Sequence, residues 1–506
     1  MELQTIVKQV KIIQTVFDDF DERPLDCDLV LPEYLPDIAS VLKCMIDPKV
    51  QNYQISGDRV MADGTVTIRL LYLDEERRCI RTFENAQPFT ATFTVKGLGN
   101  NCRVKLSTRI NYVNCRATGP RRADIHGAFC VCLKVTGEKE ESIIEEIDNT
   151  AVRTRHCSAE YSRLSAFAEK AFTVSEVVEL KNGSCSQIPI RTQAISCITD
   201  CKALAGKAVI KGELILKTVY SAEDGSGALC TCENVVPFSQ IVDADGLTEE
   251  QITCCRSEVL MCEVHPVQNA NGDSMLLSLS AKLMVSLQSY EKDDCTMLLD
   301  AYHMQYPLKC RMKQVEPWCV TAISDRVLPV NLSVDRPDSA ICAVEDLWCD
   351  GIATQMSGDE LSVHLSVCMI TRDDKGCLSY YERPAEFSLQ HGEHGCLRDV
   401  EIAVMRLSYT LSGDRIDIQL QLSQKGLVSQ ENTYSIIGEL SADETTPYVM
   451  SEGMNGCCMK VYYGNQGESL WEIAKAQHLP IEQLCKENQL HGDVLNEDMV
   501  LLLPLR

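Results

Sequence analysis

The sequence predicts a mainly β chain, with three tandem β-sandwich-like units followed by a small βααβ unit. Three observations carry this. A Pro-Phe motif recurs at constant spacing, alternating apolar and polar residues flank each copy, and the segment 459–506 switches to helical periodicity. Glu84-Asn85-Ala86-Gln87-Pro88-Phe89 returns as Glu233-Asn234-Val235-Val236-Pro237-Phe238, and more weakly as Glu382-Arg383-Pro384-Ala385-Glu386-Phe387. The intervals are equal: 238 − 89 = 149 and 387 − 238 = 149. A period that long exceeds a solenoid repeat and means tandem domains.

In chain order, residues 1–24 form an N-terminal segment and 25–136 the first unit, with Leu35–Met45 its best helix candidate. Val66, Ile68, Leu70 and Tyr72 then alternate with Thr65, Thr67 and Arg69, the period of a half-buried strand. A polar turn at Asp74–Arg78 leads to a second strand ending on Phe89, a hairpin signature. Residues 137–170 read as a charged linker continuing as a helix, because seven of the twelve residues Gly137–Asp148 are Asp, Glu or Lys. The second unit, 171–304, repeats the hairpin around Leu214, Leu216 and Tyr220 with a turn at Ala222–Gly227. The third, 305–430, does so with Leu361, Val363, Leu365, Val367 and Met369. Later alternating runs at Asp124–Val135, Met275–Leu287 and Arg415–Leu422 close the units, and Phe89 and Phe238 are expected in their cores. A flexible linker, 431–458, precedes the last unit, 459–506. There Ser469 and Glu472 have the spacing of a capping box, and Leu470, Ile473 and Ala474 share one helical face. Pro480 suits the first turn of a second helix, striped by Ile481, Leu484 and Cys485. Val461-Tyr462-Tyr463 and Val500–Leu503 supply the two strands.

Composition narrows the function. The net charge of −25, from 73 acidic and 48 basic residues, opposes binding to nucleic acid, which needs clustered Lys and Arg. No run approaches the roughly 18 apolar residues of a membrane span. Met1–Phe20 is interrupted by Glu2, Lys8 and Lys11 and lacks a signal-peptide core, so the cytoplasm is the expected compartment. The 27 cysteines are scattered through alternating runs without any Cys-x-x-Cys, so all are expected as free thiols, and no metal or cofactor site is expected. Nor does catalysis leave a motif. Gly206-Lys207 lacks the rest of a P-loop, and His391-Gly392-Glu393-His394 lacks the His-Glu-x-x-His spacing of a zinc peptidase. The chain reads as a non-enzyme.

Two resemblances sharpen this reading. The strand, capping-box and second-helix pattern of 459–506 resembles the LysM domain. Leu31-Pro32-Glu33-Tyr34-Leu35-Pro36-Asp37-Ile38-Ala39, with the tyrosine strand and the Pro-Phe motif, resembles the SPOCS domain of clostridial sporulation proteins. Three SPOCS repeats followed by LysM resembles the SipL spore-coat morphogenetic family. That resemblance implies a non-catalytic scaffold at the forespore surface in the mother-cell cytoplasm. Its implied partner is the ATPase of the coat basement layer, contacted through the LysM; the alternative is a peptidoglycan-binding protein of cortex or wall. The implied groove lies between Gln466–Leu470 and Asn488–Leu495. Its candidate residues are Gly467, Glu468, Ser469, Leu470, Trp471, Asn488, Leu490 and His491. Trp471 serves either the groove or the core. Glu468 stands where the family usually has Asp, Ser469 where it has Thr, and Asp498 near a usual Gly. The added charge favours a protein over a neutral glycan.

Overall fold

Alternation does build strands, and they assemble three times in one order. A computed structural model describes residues 3–75, 79–98, 102–179, 189–221, 228–268, 275–358, 360–390, 392, 395–448 and 459–504. The first unit runs β1 (Thr5–Val30), β2 (Ser40–Ser56), β3 (Arg59–Leu73), β4 (Ile80–Thr94), β5 (Arg103–Gly119) and β6 (Arg122–Ile147). Its antiparallel sheets, β2-β3-β4 and β1-β6-β5, enclose a core that includes Ile46, Ile68, Leu70, Phe93, Ile125 and Leu133. The second unit runs β7 (Val152–Glu179), β8 (Pro189–Leu204), β9 (Lys207–Ser221), β10 (Leu229–Asp243), β11 (Ile252–Gln268) and β12 (Met275–His303), with sheets β10-β9-β8 and β11-β12-β7.

The third unit runs β13 (Leu308–Val315), β14 (Trp318–Asp335), β15 (Ile341–Ser357), β16 (Glu360–Asp373), β17 (Leu378–Gln390), β18 (Cys396–Ser412), β19 (Arg415–Glu431) and β20 (Tyr434–Ala442). Sheets β15-β16-β17 and β14-β19-β18 repeat the pattern, and β13-β20 prolong it. Pro317, with no N–H for the ladder, sits where the long strand of the other units breaks into β13 and β14.

The recurring phenylalanine has a structural reason. Phe89 lies opposite Gly64, and Phe238 opposite Gly212. A Cβ on Gly64 would collide with the Phe89 ring and the Lys49 carbonyl; one on Gly212 would collide with Phe238 and the Cys197 carbonyl. The ring covers the bare strand in both units, as aromatic side chains do over sheet glycines. In the third unit Val363 fills the place opposite Phe387. Phe238 is buried, while Phe89 and Phe387 are half-buried.

Beyond the sandwiches the paired strands continue as ribbons. β1 and β6 stay paired from Val30↔Arg122 to Thr5↔Ile147, and β7 and β12 from Glu179↔Leu276 to Val152↔His303, with two register shifts in each pair. A lone two-stranded ribbon is marginal in water. Here three converge on one apolar cluster: Val10, Ile12 and Ile143; Ala159, Tyr161, Cys295 and Met297; Val315 and Ile436. Trp318 Nε1 donates to the Ile13 carbonyl (2.6 Å), Ser162 Oγ accepts from the Val320 N–H (2.8 Å), and Lys313 donates to the Ser142 carbonyl (2.5 Å). A second cluster joins all three meanders, through Leu71 and Ile80, Ile190, and Trp348 and Ile370. At its margin Arg191 holds Asp346 through two nitrogens (2.7–2.9 Å), both side chains buried, and lies over the Trp348 ring at 4.5 Å.

Four expectations are corrected. The Leu35–Met45 segment is not a helix. Ile38 N–H reaches the Pro120 carbonyl (2.7 Å), Ala39 N–H the Leu73 carbonyl (2.9 Å) and Tyr72 Oη the Pro36 carbonyl (3.0 Å), so the segment is pinned as a loop leading into β2. Residues 137–170 are neither linker nor helix, but the ends of β6 and β7. Their charges lie outward or clamp neighbours while Ile143 and Ile144 are buried in the hub. Residues 1–24 belong to the first unit through β1. Nor are all thiols free: Cys201 of β8 and Cys255 of β11 form a disulfide joining the two sheets of the second unit (Cα–Cα 6.7 Å). Free thiols among the described residues include Cys44, Cys130, Cys254, Cys295 and Cys319. In the expected linker 431–458, β20 occupies Tyr434–Ala442, and 449–458 lie outside the described residues, as do His391, Glu393 and His394.

Phe238→Ala removes the ring that covers Gly212 and packs on Phe172 at 5.3 Å. Denaturant unfolding should show a loss of about 3–5 kcal/mol, the usual cost for a core phenylalanine.

Candidate functional site

The last unit comprises β21 (Met459–Gly464), α1 (Leu470–Ala476), α2 (Ile481–Asn488) and β22 (Met499–Pro504). The strands pair antiparallel with Val461 opposite Leu502, and Leu470, Ile473, Ala474, Leu484, Leu501 and Leu503 fill the core beneath them. The loops before α1 and after α2 are tied side by side. Gly467 N–H donates to the Leu495 carbonyl (2.8 Å), Leu495 N–H to the Glu468 carbonyl (2.9 Å) and Leu470 N–H to the Asp493 carbonyl (2.9 Å). Gly467 has φ +87, a left-handed conformation open to glycine. Ser469 takes the cap position of α1, yet its side chain makes no capping bond. The Leu470 N–H goes to the Asp493 carbonyl across the groove, and the Ser469 backbone bridges to Val494.

The eight predicted groove residues divide. Gly467, Glu468, Ser469 and His491 lie on the lip. Leu470 is fully buried and Leu490 half-buried against the core. Asn488 is a clamp: its side chain donates to the Leu502 carbonyl (2.9 Å) and accepts the Leu502 N–H (2.6 Å), fixing α2 to β22. The Glu468 carboxylate turns toward its own strand, accepting from Asn465 Nδ2 (2.8 Å) and Tyr462 Oη (3.2 Å). The Asn465 hydrogen bond holds that carboxyl below its ordinary pKa. Asp498 accepts the Gln466 N–H at 2.7 Å. Neither charge is loose at the groove.

Trp471 belongs to a contact the sequence did not announce. It is 7% exposed, donates Nε1–H to Asp300 Oδ2 at 2.8 Å, and meets Tyr302 edge-on with ring centres 5.0 Å apart. Lys475, one turn on, reaches the same carboxylate at 2.7 Å, and Tyr302 Oη donates to the Leu479 carbonyl at 2.6 Å. His478 stacks on Tyr448 at 3.5 Å, and burial lowers its pKa. Asp300 and Tyr302 lie near the end of β12, so the unit is seated on the ribbon of the second sandwich. The Trp471/Lys475 spacing of one helical turn was the only local signal; the partners are more than 170 residues away.

With this geometry in place, the comparisons are specific. The family described as SipL, SPOCS domain, matches residues 37–118 and 186–267, and the LysM domain family matches 465–504. The chain thus carries two segments similar to the SipL SPOCS domain and one similar to LysM. Each SPOCS match spans a three-stranded meander and the strand after it, β2–β5 and β8–β11. No curated protein matches the chain. Both domain types are non-catalytic binding types; SPOCS suggests a sporulation-related, spore-associated role and LysM suggests peptidoglycan binding. No helix among the described residues is long and apolar enough to cross a membrane.

Asp300→Ala leaves the Trp471 N–H without its acceptor and Lys475 without its partner. The expected result is a loss of about 1–3 kcal/mol and a red-shifted Trp471 emission, read against a Trp318→Phe, Trp348→Phe background.

Proposed function

We propose that the chain is a non-catalytic scaffold of the spore envelope, whose LysM groove docks the ATPase of the coat basement layer. The observation that carries this reading is the seating of the LysM. Trp471 and Lys475 hold the α1 side to Asp300, while Gln466, Gly467 and residues 491–494 stay exposed. A groove fixed to a body of three fused sandwiches can place a partner at a set distance and angle, which a free tether cannot. On this reading the third unit is also a SPOCS domain, because β15–β18 repeat the strand order of the two matched segments. The work site is the mother-cell side of the forespore.

A protein partner is favoured over a glycan by the outer face of the β21–β22 sheet. Val461 pairs with Leu502 and Tyr463 with Val500, and all four are exposed beside Met459. Tyr463 is 77% exposed. Such a contiguous apolar face suits a protein surface better than a neutral sugar polymer.

The full chain should be retained by immobilised coat ATPase, and Val494→Asp on the groove lip should weaken retention about tenfold without changing the melting temperature. Saturable co-sedimentation with peptidoglycan and no retention by the ATPase would instead support the wall-binding alternative.

A further inference from the structure

A cavity of about 1050 Å³ lies between the three sandwiches, and all three units wall it. Much of its wall is sheet edge, with the face of β12 (Lys282, Met284, Ser286 and Gln288) closing one side. β2, β5, β8, β11 and β18 are each outermost in their sheets. They contribute continuous stretches, Lys49–Tyr53, Arg103–Thr108, Ala194–Ile198 and Arg256–Leu260 among them. A sheet face would contribute every second residue; a continuous stretch means that the edge itself lines the space. Burial agrees, since Thr192–Ile198 are half-buried in succession in a chain that elsewhere alternates. Three register shifts fall on this wall, and their extra residues, Gln51, Leu260 and Met405, line the cavity. Edge strands offer unpaired N–H groups, and concave edges of this kind bind anions.

The charges agree with the backbone. In a chain of net charge −25, six cationic side chains line the cavity (Lys49, Arg103, Lys105, Arg256, Lys282 and Lys425) against four carboxylates. Three of those carboxylates are engaged: Glu401 by Lys105 (2.8 Å), Asp325 by Lys425 (2.9 Å) and Glu169 by Tyr53 Oη (3.1 Å). The fourth, Glu258, is exposed to the cavity, where desolvation by the surrounding walls raises its pKa. Two cations keep capacity. Lys282 has no ion-pair partner among the described residues. Arg256 is 6% exposed; its Nη2 donates to the Asp399 carbonyl (2.7 Å), its Nε lies 3.4 Å from the Glu401 carboxylate, and its Nη1 has no hydrogen-bond partner. A buried guanidinium N–H left unpaired is costly and rare.

We propose that this cavity binds a small polyanion carrying two or more carboxylate or phosphate groups, held by Arg256, Lys282 and the free N–H groups of the edge strands. Arg256 and Lys282 both belong to the second unit, and edges of the first and third units face them across the cavity. The site is separate from the LysM groove and does not rest on its partner.

Calorimetric titration of the full chain with pyrophosphate and with citrate, at constant ionic strength set by sodium chloride, tests this. One saturable site is expected. Affinity should fall at least tenfold in Lys282→Gln and Arg256→Gln, rise in Glu258→Gln, and stay unchanged in Lys486→Gln on the exposed side of α2. Binding of pyrophosphate alone assigns a phosphate ligand, and of citrate alone a carboxylate ligand. If Arg256→Gln fails to fold, Lys282→Gln and Glu258→Gln decide the matter. No saturable binding of either anion, or an equal loss in Lys486→Gln and Lys282→Gln, overturns the proposal.

Discussion

The burial of three ribbons against one another is the constraint on which the rest of the molecule depends. Each sandwich could close its own core, but the long strands that leave it carry apolar residues that no single unit can cover. Val10, Ile143, Tyr161, Met297, Val315 and Ile436 find cover only in each other. Because the clustered residues come from three units, none of the ribbons is stable without the others. Three tandem domains become one body.

That body also decides how the groove is presented. β12 contributes Cys295 and Met297 to the hub, and a few residues later Asp300 and Tyr302 to the seat of the LysM. The strand that fuses the sandwiches is thus the strand that holds the binding unit. Ionic contacts reinforce the junction between sandwiches. Asp399 of the third unit accepts Lys134 (3.1 Å) and Arg103 (3.4 Å) of the first, while its carbonyl takes Arg256 of the second. Burial alone would push the Asp399 carboxyl up; Lys134, Arg103 and Lys105 outweigh it and hold it well below the usual carboxylate range. One such residue collecting cations from two neighbours makes the junction specific as well as apolar.

Much of the local structure was legible in the sequence. Period two gave the meander strands, the interval of 149 gave the unit count that the strand order repeats, and helical spacing gave α1 and α2. What failed did so for one physical reason: the deciding contact was distant in sequence. Gly137–Asp148 looked like a charged linker because the cover for Ile143 and Ile144 comes from other units. Leu35–Met45 was the best helix candidate of the first unit, but the Pro120 and Leu73 carbonyls claim the Ile38 and Ala39 N–H groups. At the site, the resemblance pointed to Gly467 and His491, which are exposed in their two loops. The role of Asn488 as a strand clamp and of Trp471 as an anchor could not be read from it, since Leu502 and Asp300 give no sign of themselves in the motif. Glu468 was read as an outward charge, while Asn465 and Tyr462 draw it inward.

Native-state hydrogen exchange on the full chain tests the hub most directly. If the ribbons are the shared core, amides of the hub segments, including the acid-rich stretch 138–147, should exchange as slowly as those of β3 and β9 and open together across all three units. Fast exchange at 138–147 and in β13, with protected β3 and β9 opening independently of one another, would contradict a single body and return the chain to three domains on linkers.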